Sequence, residues 1–238
     1  MNERQSRLLV AIIDQFIHTA LPVGSKKLLE VSNFDCSSAT IRNEMFHLED
    51  EGFLQQPHIS AGRIPTAKGY RAYVKQFMEP SSQEKEVRKK FASLQEQYFQ
   101  KKDQERVYEA VSLLSSMVPN VAFASVPYKE RVYFMGLANV LKQPEFQANP
   151  ELAMGVAEVL EEHLHTILEN VETDDQVRYY IGEEHILPQF QSCSMVVTSY
   201  GVRDERGVVG ILGPMRMDYA YNTVVLELIT ELLNSGRQ

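Results

Sequence analysis

The sequence predicts an α+β protein in two parts, a winged helix-turn-helix unit followed by a domain of strands flanked by helices. Three observations carry this. Two short helical segments and a turn-rich, acid-free stretch follow an amphipathic first helix; short β-prone apolar runs lie between residues 121 and 212; and helical stripes stand on both sides of those runs. The expected division is residues 1–78 for the first domain, 79–118 for a linker with connecting helices, and 119–238 for the second domain.

Asn2 and Gln5 have the spacing of a capping box, and Leu8, Leu9, Ile12, Ile13, Phe16 and Ile17 form one stripe behind them, predicting a helix over about Glu3 to Thr19. Pro22 and Gly24 end the connection, Ser25 is expected to cap a short helix through Leu28 and Leu29, and Asn33 with Asp35 marks a turn. Ser37 caps a third helix, stopped at Gly52. Ile41, Met45 and Leu48 share its inner face, which leaves Ser38, Ala39, Thr40, Arg42 and Asn43 outward near its start. This is the order of a helix-turn-helix, and small hydroxyl residues with Arg and Asn suit a major groove. A plain three-helix packing unit with a solvated face fits that helix equally well.

The next residues favour the groove reader. Phe53 to Gln56 can start a strand, and Pro57 to Arg63 is a turn-rich stretch that reads as a wing tipped with His58 and Arg63. Thr66 then caps a fourth helix whose buried stripe is Tyr70, Tyr73, Val74 and Phe77, with Lys68, Arg71 and Lys75 available to a DNA backbone.

Pro80 to Ser82 reads as a linker. Val87, Phe91, Leu94 and Tyr98, then Val107, Ala110, Val111 and Leu114, are helical stripes that serve either packing on the next domain or pairing with a twin in a dimer. Val121 to Val126 is a buried strand, and one helix is expected to carry Leu152, Val156, Val159, Leu160, Leu164, Ile167, Leu168 and Val171. Val177, Tyr179 and Ile181 alternate as a strand. Cys193 to Tyr200 and Val208 to Leu212 form two more, with a turn near Arg206 and Gly207, before a last helix from about Tyr219 to Leu233.

Composition bounds the function classes. The chain has 238 residues, net charge -8, 44% hydrophobic residues and two cysteines. A disordered chain is excluded, no run suits a membrane span, and Met1 to Arg4 lacks the start of a signal peptide, so a cytoplasmic location is expected. Cys36 and Cys193 are far apart and are expected to be reduced. Charge is uneven: Met1 to Lys75 carries nine basic and eight acidic residues, and Gln55 to Met78 carries four basic residues and no acid.

Enzyme readings fail on spacing. His163 and His165 point to different helical faces, no H-E-x-x-H occurs, Gly207, Gly210 and Gly213 lack a following Lys-Ser or Lys-Thr, and there is no G-x-S-x-G. Glu183, Glu184 and His185 read as a solvated turn, and Arg216 and Asp218 as an ion pair and a helix cap. No catalytic residue, metal or cofactor is expected.

Pro22-Val23-Gly24-Ser25, the run Ser37 to Met45, Leu48-Glu49, Gly52, the run Pro57 to Thr66, and Lys68-Gly69-Tyr70-Arg71 together resemble the winged-helix domain of the HrcA family, bacterial heat-inducible transcription repressors. A contiguous match of this length is far more specific than a helix-turn-helix pattern. Gly136 to Phe146, Ile181 to Glu184, Cys193-Ser194 and Gly210 to Tyr219 are similar to the same family's C-terminal region. The resemblance implies a reduced GAF-like second domain, a homodimer on an inverted-repeat operator of double-stranded DNA upstream of chaperone genes, and a GroE-type chaperonin that maintains activity. Two departures stand out. Met215 replaces the usual Thr, and the chain is shorter than typical members, mostly between Val126 and Tyr133, where members have sheet strands and much of their dimer surface.

The expected DNA contacts are base readout by Ser38, Thr40, Arg42 and Asn43 beside the cap Ser37, groove or phosphate contact by His58 and Arg63, and phosphate contact by Lys26, Lys68 and Arg71. The competing expectation is a winged-helix protein-interaction module that no longer binds a specific operator, motivated by Phe46, which lies off its helix's apolar stripe.

Overall fold

The computed structural model describes residues 1–32, 34–95, 103–127, 131–171, 174–184, 190–202 and 205–235, without the side chains of residues 94, 95, 103 and 104. Asn33 of the expected turn, Tyr98 of the expected stripe and His185 lie outside what is described, as does the side chain of Leu94. The chain forms two compact units, Met1–Glu79 and Pro80–Gln238.

In the first unit, α1 (Glu3–Thr19) starts at the capping box. The Asn2 side chain accepts from the Gln5 N–H at 2.9 Å, and the Gln5 amide oxygen accepts from the Asn2 N–H at 2.8 Å. Leu8, Leu9, Ile12 and Ile13 are fully buried, and α1 packs on α3 (Ser38–Asp50), whose Ile41, Met45 and Leu48 face inward. The second helix, α2 (Ser25–Val31), is capped differently from expectation. Gly24 is its N-cap and Ser25 is already inside the first turn and buried, without a side-chain capping bond.

After α3 the chain reverses at Gly52, whose φ of +76° suits a residue without Cβ; the Phe53 N–H donates to the Leu48 carbonyl at 2.8 Å. It then forms the two-residue strands β1 (Leu54–Gln55) and β2 (Ile64–Pro65), paired antiparallel. Thr66 caps α4 (Ala67–Ala72) by accepting from the Gly69 N–H at 3.1 Å. The helix widens into a π turn over Tyr73–Phe77, which rotates the side chains off the regular helical stripe. Tyr70 and Tyr73 are therefore buried as expected, whereas Val74 and Phe77 are only half-buried.

The second unit is built on an antiparallel sheet of β3 (Val121–Val126), β4 (Arg131–Met135), β5 (Arg178–Ile181), β6 (Cys193–Val202) and β7 (Glu205–Pro214), in the order β4-β3-β7-β6-β5. Helices cover both faces, which is why β6 is buried at nearly every position. Val121, Phe123, Cys193, Met195, Val197 and Leu212 join one core with residues of α8 (Pro144–Ala148), α9 (Pro150–Glu162) and α10 (Leu164–Glu169), while α7 (Leu137–Leu141) supplies Val140. Ser194, from the opposite side of β6, meets Tyr219 of α11 (Tyr219–Asn234), and α5 (Glu84–Gln95) and α6 (Asp103–Met117) pack against α11. The expected stripes on α5 and α6 thus have packing partners within the unit: Val87, Phe91, Val107, Ala110, Val111 and Leu114 are buried.

Three expectations shift here. The single helix through Val171 is two helices, broken at His163, whose φ of -122° is not helical. Strand β5 begins at Arg178, one residue after Val177. The β6–β7 ladder extends to the pair Val202 and Glu205, so Arg206 and Gly207 are ladder residues paired with Gly201 and Tyr200 rather than a turn. The α+β class itself is as expected.

Candidate nucleic-acid interface

Ser37 and Thr40 organise the start of α3 together. The Ser37 hydroxyl accepts from the Thr40 N–H at 3.1 Å and lies 3.0 Å from the Thr40 hydroxyl, so each group has an internal partner. Ser38, the first helical residue, is half-buried. One turn further, Arg42 and Asn43 are exposed, and among the described residues neither is tied by a hydrogen bond or ion pair. Their placement follows from the helix period: Ile41 and Met45 face the core, so residues 42, 43 and 46 face out.

The wing is a rigid attachment to the helix-turn-helix. Val23, before α2, pairs with Arg63 in an isolated antiparallel bridge, each N–H donating to the other's carbonyl at 2.9 Å. Gly62 makes that approach possible, because a Cβ there would sit 2.4 Å from the Val23 carbonyl carbon and oxygen. The Gln56 amide donates to the Ala61 carbonyl at 3.0 Å across the loop, and the Ala61 N–H donates to the His58 carbonyl at 3.0 Å.

Two of the expected DNA-contacting cations have work inside the fold. The Arg63 guanidinium reaches back to Glu49 on the last turn of α3, with Nη2 and Nε at 2.8 and 2.9 Å from Oε2, and its side chain is only 15% exposed. It is a strut between the wing and α3. Lys68 donates to the Glu51 carbonyl at 2.7 Å and stands 4.5 Å from the centroid of the Phe53 ring, closing the C-terminal end of α3. Arg71 is half-buried in α4, Lys26 is exposed in α2, and His58 is exposed at the wing tip with Nδ1 3.1 Å from the Ile59 carbonyl oxygen.

A cleft of about 520 Å³ opens between these elements, lined by Lys26 of α2, Arg42 and Met45 of α3, and Gln56, Ser60 and Arg63 of the wing. The structure thus gathers Lys26, Arg42 and Arg63 around one concavity. Ser37, Ser38 and Thr40, at the first turn of α3, do not line it, and neither do Lys68 and Arg71. Sequence reasoning missed Val23 and Glu49 as the two anchors of the wing. The available signal was an acid and a base, Glu49 and Arg63, each inside a motif run, with a turn between them that could bring them together.

In the second unit the other candidate groups are structural. Asp218 caps α11 by accepting from the Tyr221 N–H at 3.0 Å, and Arg216 pairs with Glu145 at 2.5 Å and donates to the Gln143 amide oxygen at 2.6 Å. Glu184 accepts from the Ile181 N–H at 2.9 Å. Among the described residues no group of three His, Cys, Asp or Glu side chains is placed to hold a metal, and no helix is long and apolar enough to cross a membrane.

Comparison with known proteins bears on both units. Residues 71–222 match the family model described as the HrcA protein C terminal domain. Proteins named heat-inducible transcription repressor HrcA are similar over nearly the whole chain. That of Brevibacillus brevis is 26% identical over 332 aligned residues, covering 98% of this chain and 97% of the relative, and that of Desulforudis audaxviator is 27% identical over 336, with the same coverage. Both alignments are far longer than this chain, so these relatives carry internal residues that it lacks. A crystal structure of a hypothetical protein at 2.2 Å resolution shares the fold, with a TM-score of 0.79 at 20% identity over 99% of this chain and 97% of that one.

Proposed function

The chain belongs to the HrcA family, and on that premise we propose that it is a heat-inducible transcription repressor that binds operator DNA through α2, α3 and the wing. The supporting observation is the cleft that joins Lys26, Arg42 and the wing beside the exposed, untied Asn43. In this reading the operator is an inverted repeat and the protein a homodimer, which sets two copies of α3 into successive major grooves about 34 to 36 Å apart or a multiple of that. Arg42 and Asn43 read base edges, with Ser38 and Thr40 shaping the helix start; Lys26 and Arg71 meet phosphate; and His58 lies along the groove wall. Arg63 and Lys68 act chiefly by holding the wing and the end of α3 in place. A GroE-type chaperonin maintains the active form, so that heat relieves repression when unfolded protein occupies the chaperonin. No enzymatic step belongs to this reading, in keeping with relatives named as repressors.

Phe46 supports a second reading. It is 60% exposed on the outer face of α3, a cost that a docking surface for a protein partner would explain. One experiment separates the two: fluorescence anisotropy of the purified chain on a chaperone-promoter inverted repeat and on a scrambled duplex, at two salt concentrations. A preference of about 10³-fold or more, with two chains per duplex, is expected of the repressor. Equal, weak binding abolished by salt on both duplexes would leave the protein-docking module.

A further inference from the structure

We propose that Ile59, at the tip of the wing, is an apolar wedge that enters the minor groove beside the recognition site and opens a base step. The inference rests on the repressor reading and adds a residue and a DNA deformation to it. Ile59 is 92% exposed, more than any other large hydrophobic residue described, including Phe46 at 60% and Met154 at 72%. An isoleucine held this far into water by a flexible loop would fold back onto the nearest apolar surface. Here the loop holds it out: Ser60 next to it has φ of +71°, the Ala61 N–H donates to the His58 carbonyl, and Gln56 ties the loop across to Ala61. The base of the wing is fixed twice, by the Val23–Arg63 bridge and the Arg63–Glu49 pair.

Charge selects the occupant. Lys26 and Arg42 are exposed and line the same cleft as Ser60, the neighbour of Ile59, and this positive charge opposes a basic protein surface and favours a polyanion. A duplex offers apolar surface to such a tip between its stacked bases, reached from the minor groove. The branched side chain is stiff, so little rotamer freedom is lost on insertion. Unstacking is easiest at a pyrimidine–purine step, so the wedge predicts a TA or CA step where the tip lands.

The test uses the full chain and an inverted-repeat duplex carrying 2-aminopurine at the candidate step, with end-labelled duplexes to read bending by energy transfer. Wild type is expected to raise 2-aminopurine fluorescence and bend the duplex. Ile59→Ala is expected to lose both, to bind about tenfold more weakly, and to unfold at the wild-type temperature, since its side chain touches so little. Arg42→Ala is expected to weaken binding but to keep the fluorescence rise in the complex that still forms at high protein concentration. Specific binding with flat fluorescence, or an Ile59→Ala complex as bent and as tight as wild type, overturns the wedge and leaves the repressor reading intact. No preference of wild type for the inverted repeat overturns both.

Discussion

The runs that carry the family resemblance fall in two regions, residues 22–71 and residues 136–219, and they serve opposite ends in them. In the second, the polar residues turn inward. Arg216 grips Glu145 and Gln143, Asp218 caps α11, and the Tyr219 hydroxyl lies 2.7 Å from that of Ser194 and donates to the Met215 carbonyl at 2.6 Å. In the first, Arg63 and Lys68 brace the wing and α3 from within, and that bracing leaves Arg42, Asn43 and His58 exposed on a fixed frame. A motif is therefore evidence of a ligand site only where its polar ends remain unspent. Arg216, Asp218 and Tyr219 in the later runs serve shape, and the runs between residues 22 and 71 serve shape and surface together.

The largest expected effect tests the inward half. Arg216→Ala leaves Glu145, whose side chain is 29% exposed, without its cation, and Gln143 without a donor. Breaking a buried pair costs about 3 to 5 kcal/mol, and partial exposure lowers the expectation to about 2 kcal/mol, read from urea unfolding. Operator specificity is expected to be untouched. A specificity change at unchanged stability would make Arg216 part of a binding surface and erase the contrast.

Gly62→Ala attacks the frame of the outward half. The added methyl meets the Val23 backbone, and neither strand of that bridge can move without releasing the wing. A cost of about 1 to 3 kcal/mol in stability is expected, with operator affinity falling in step. Wild-type affinity in this variant would show that the wing's attachment is irrelevant to binding. Arg42→Ala and Asn43→Ala then remove contact without frame: about 1 to 3 kcal/mol of operator affinity and relaxed choice at one base pair, with unfolding unchanged within about 0.5 kcal/mol. Equal affinity and equal base preference in both variants would sink their assignment. Lys26→Ala is smaller still: weakening on all sequences alike and a salt slope reduced by about one unit.

Much of this contrast was legible beforehand, for physical reasons. The capping box at Asn2, the cap at Ser37 and the apolar stripes of α1, α3 and α11 are local signals, and local signals survive in one dimension. What was not legible depends on distance or on subtle geometry. That Arg63 pairs with Glu49 is decided by a contact across the wing. The break at His163 leaves the apolar stripe continuous in sequence because α9 and α10 face the same core. The π turn after α4 shifts Val74 and Phe77 by part of a turn, which no periodicity analysis at 3.6 residues detects.

The least conspicuous difference between the regions is carried by the two cysteines. Cys36 is half-exposed just before α3, whereas Cys193 is fully buried at the start of β6, where burial, and then the negative charge of Glu145, push its thiol up to about 12. At pH 8 a thiol reagent is expected to modify Cys36 in the native protein and to reach Cys193 only as the second unit unfolds, since thiolate and access are both required. The same burial sets a pH dependence. Above about pH 9 the unfolded chain releases the Cys193 proton that the folded chain keeps until about 12. The folded state then binds more protons, so stability falls as pH rises through that window. Burial raises the hydroxyls of Tyr179, Tyr200 and Tyr221 as well, and each acts in the same direction at higher pH. Cys193→Ala is therefore expected to flatten the decline of melting temperature between pH 9 and 11 without abolishing it. An identical decline in that variant, or rapid native labelling of two thiols, would mean that this end of the sheet opens readily and that the inward-facing half of the comparison is less closed than its hydrogen bonds imply.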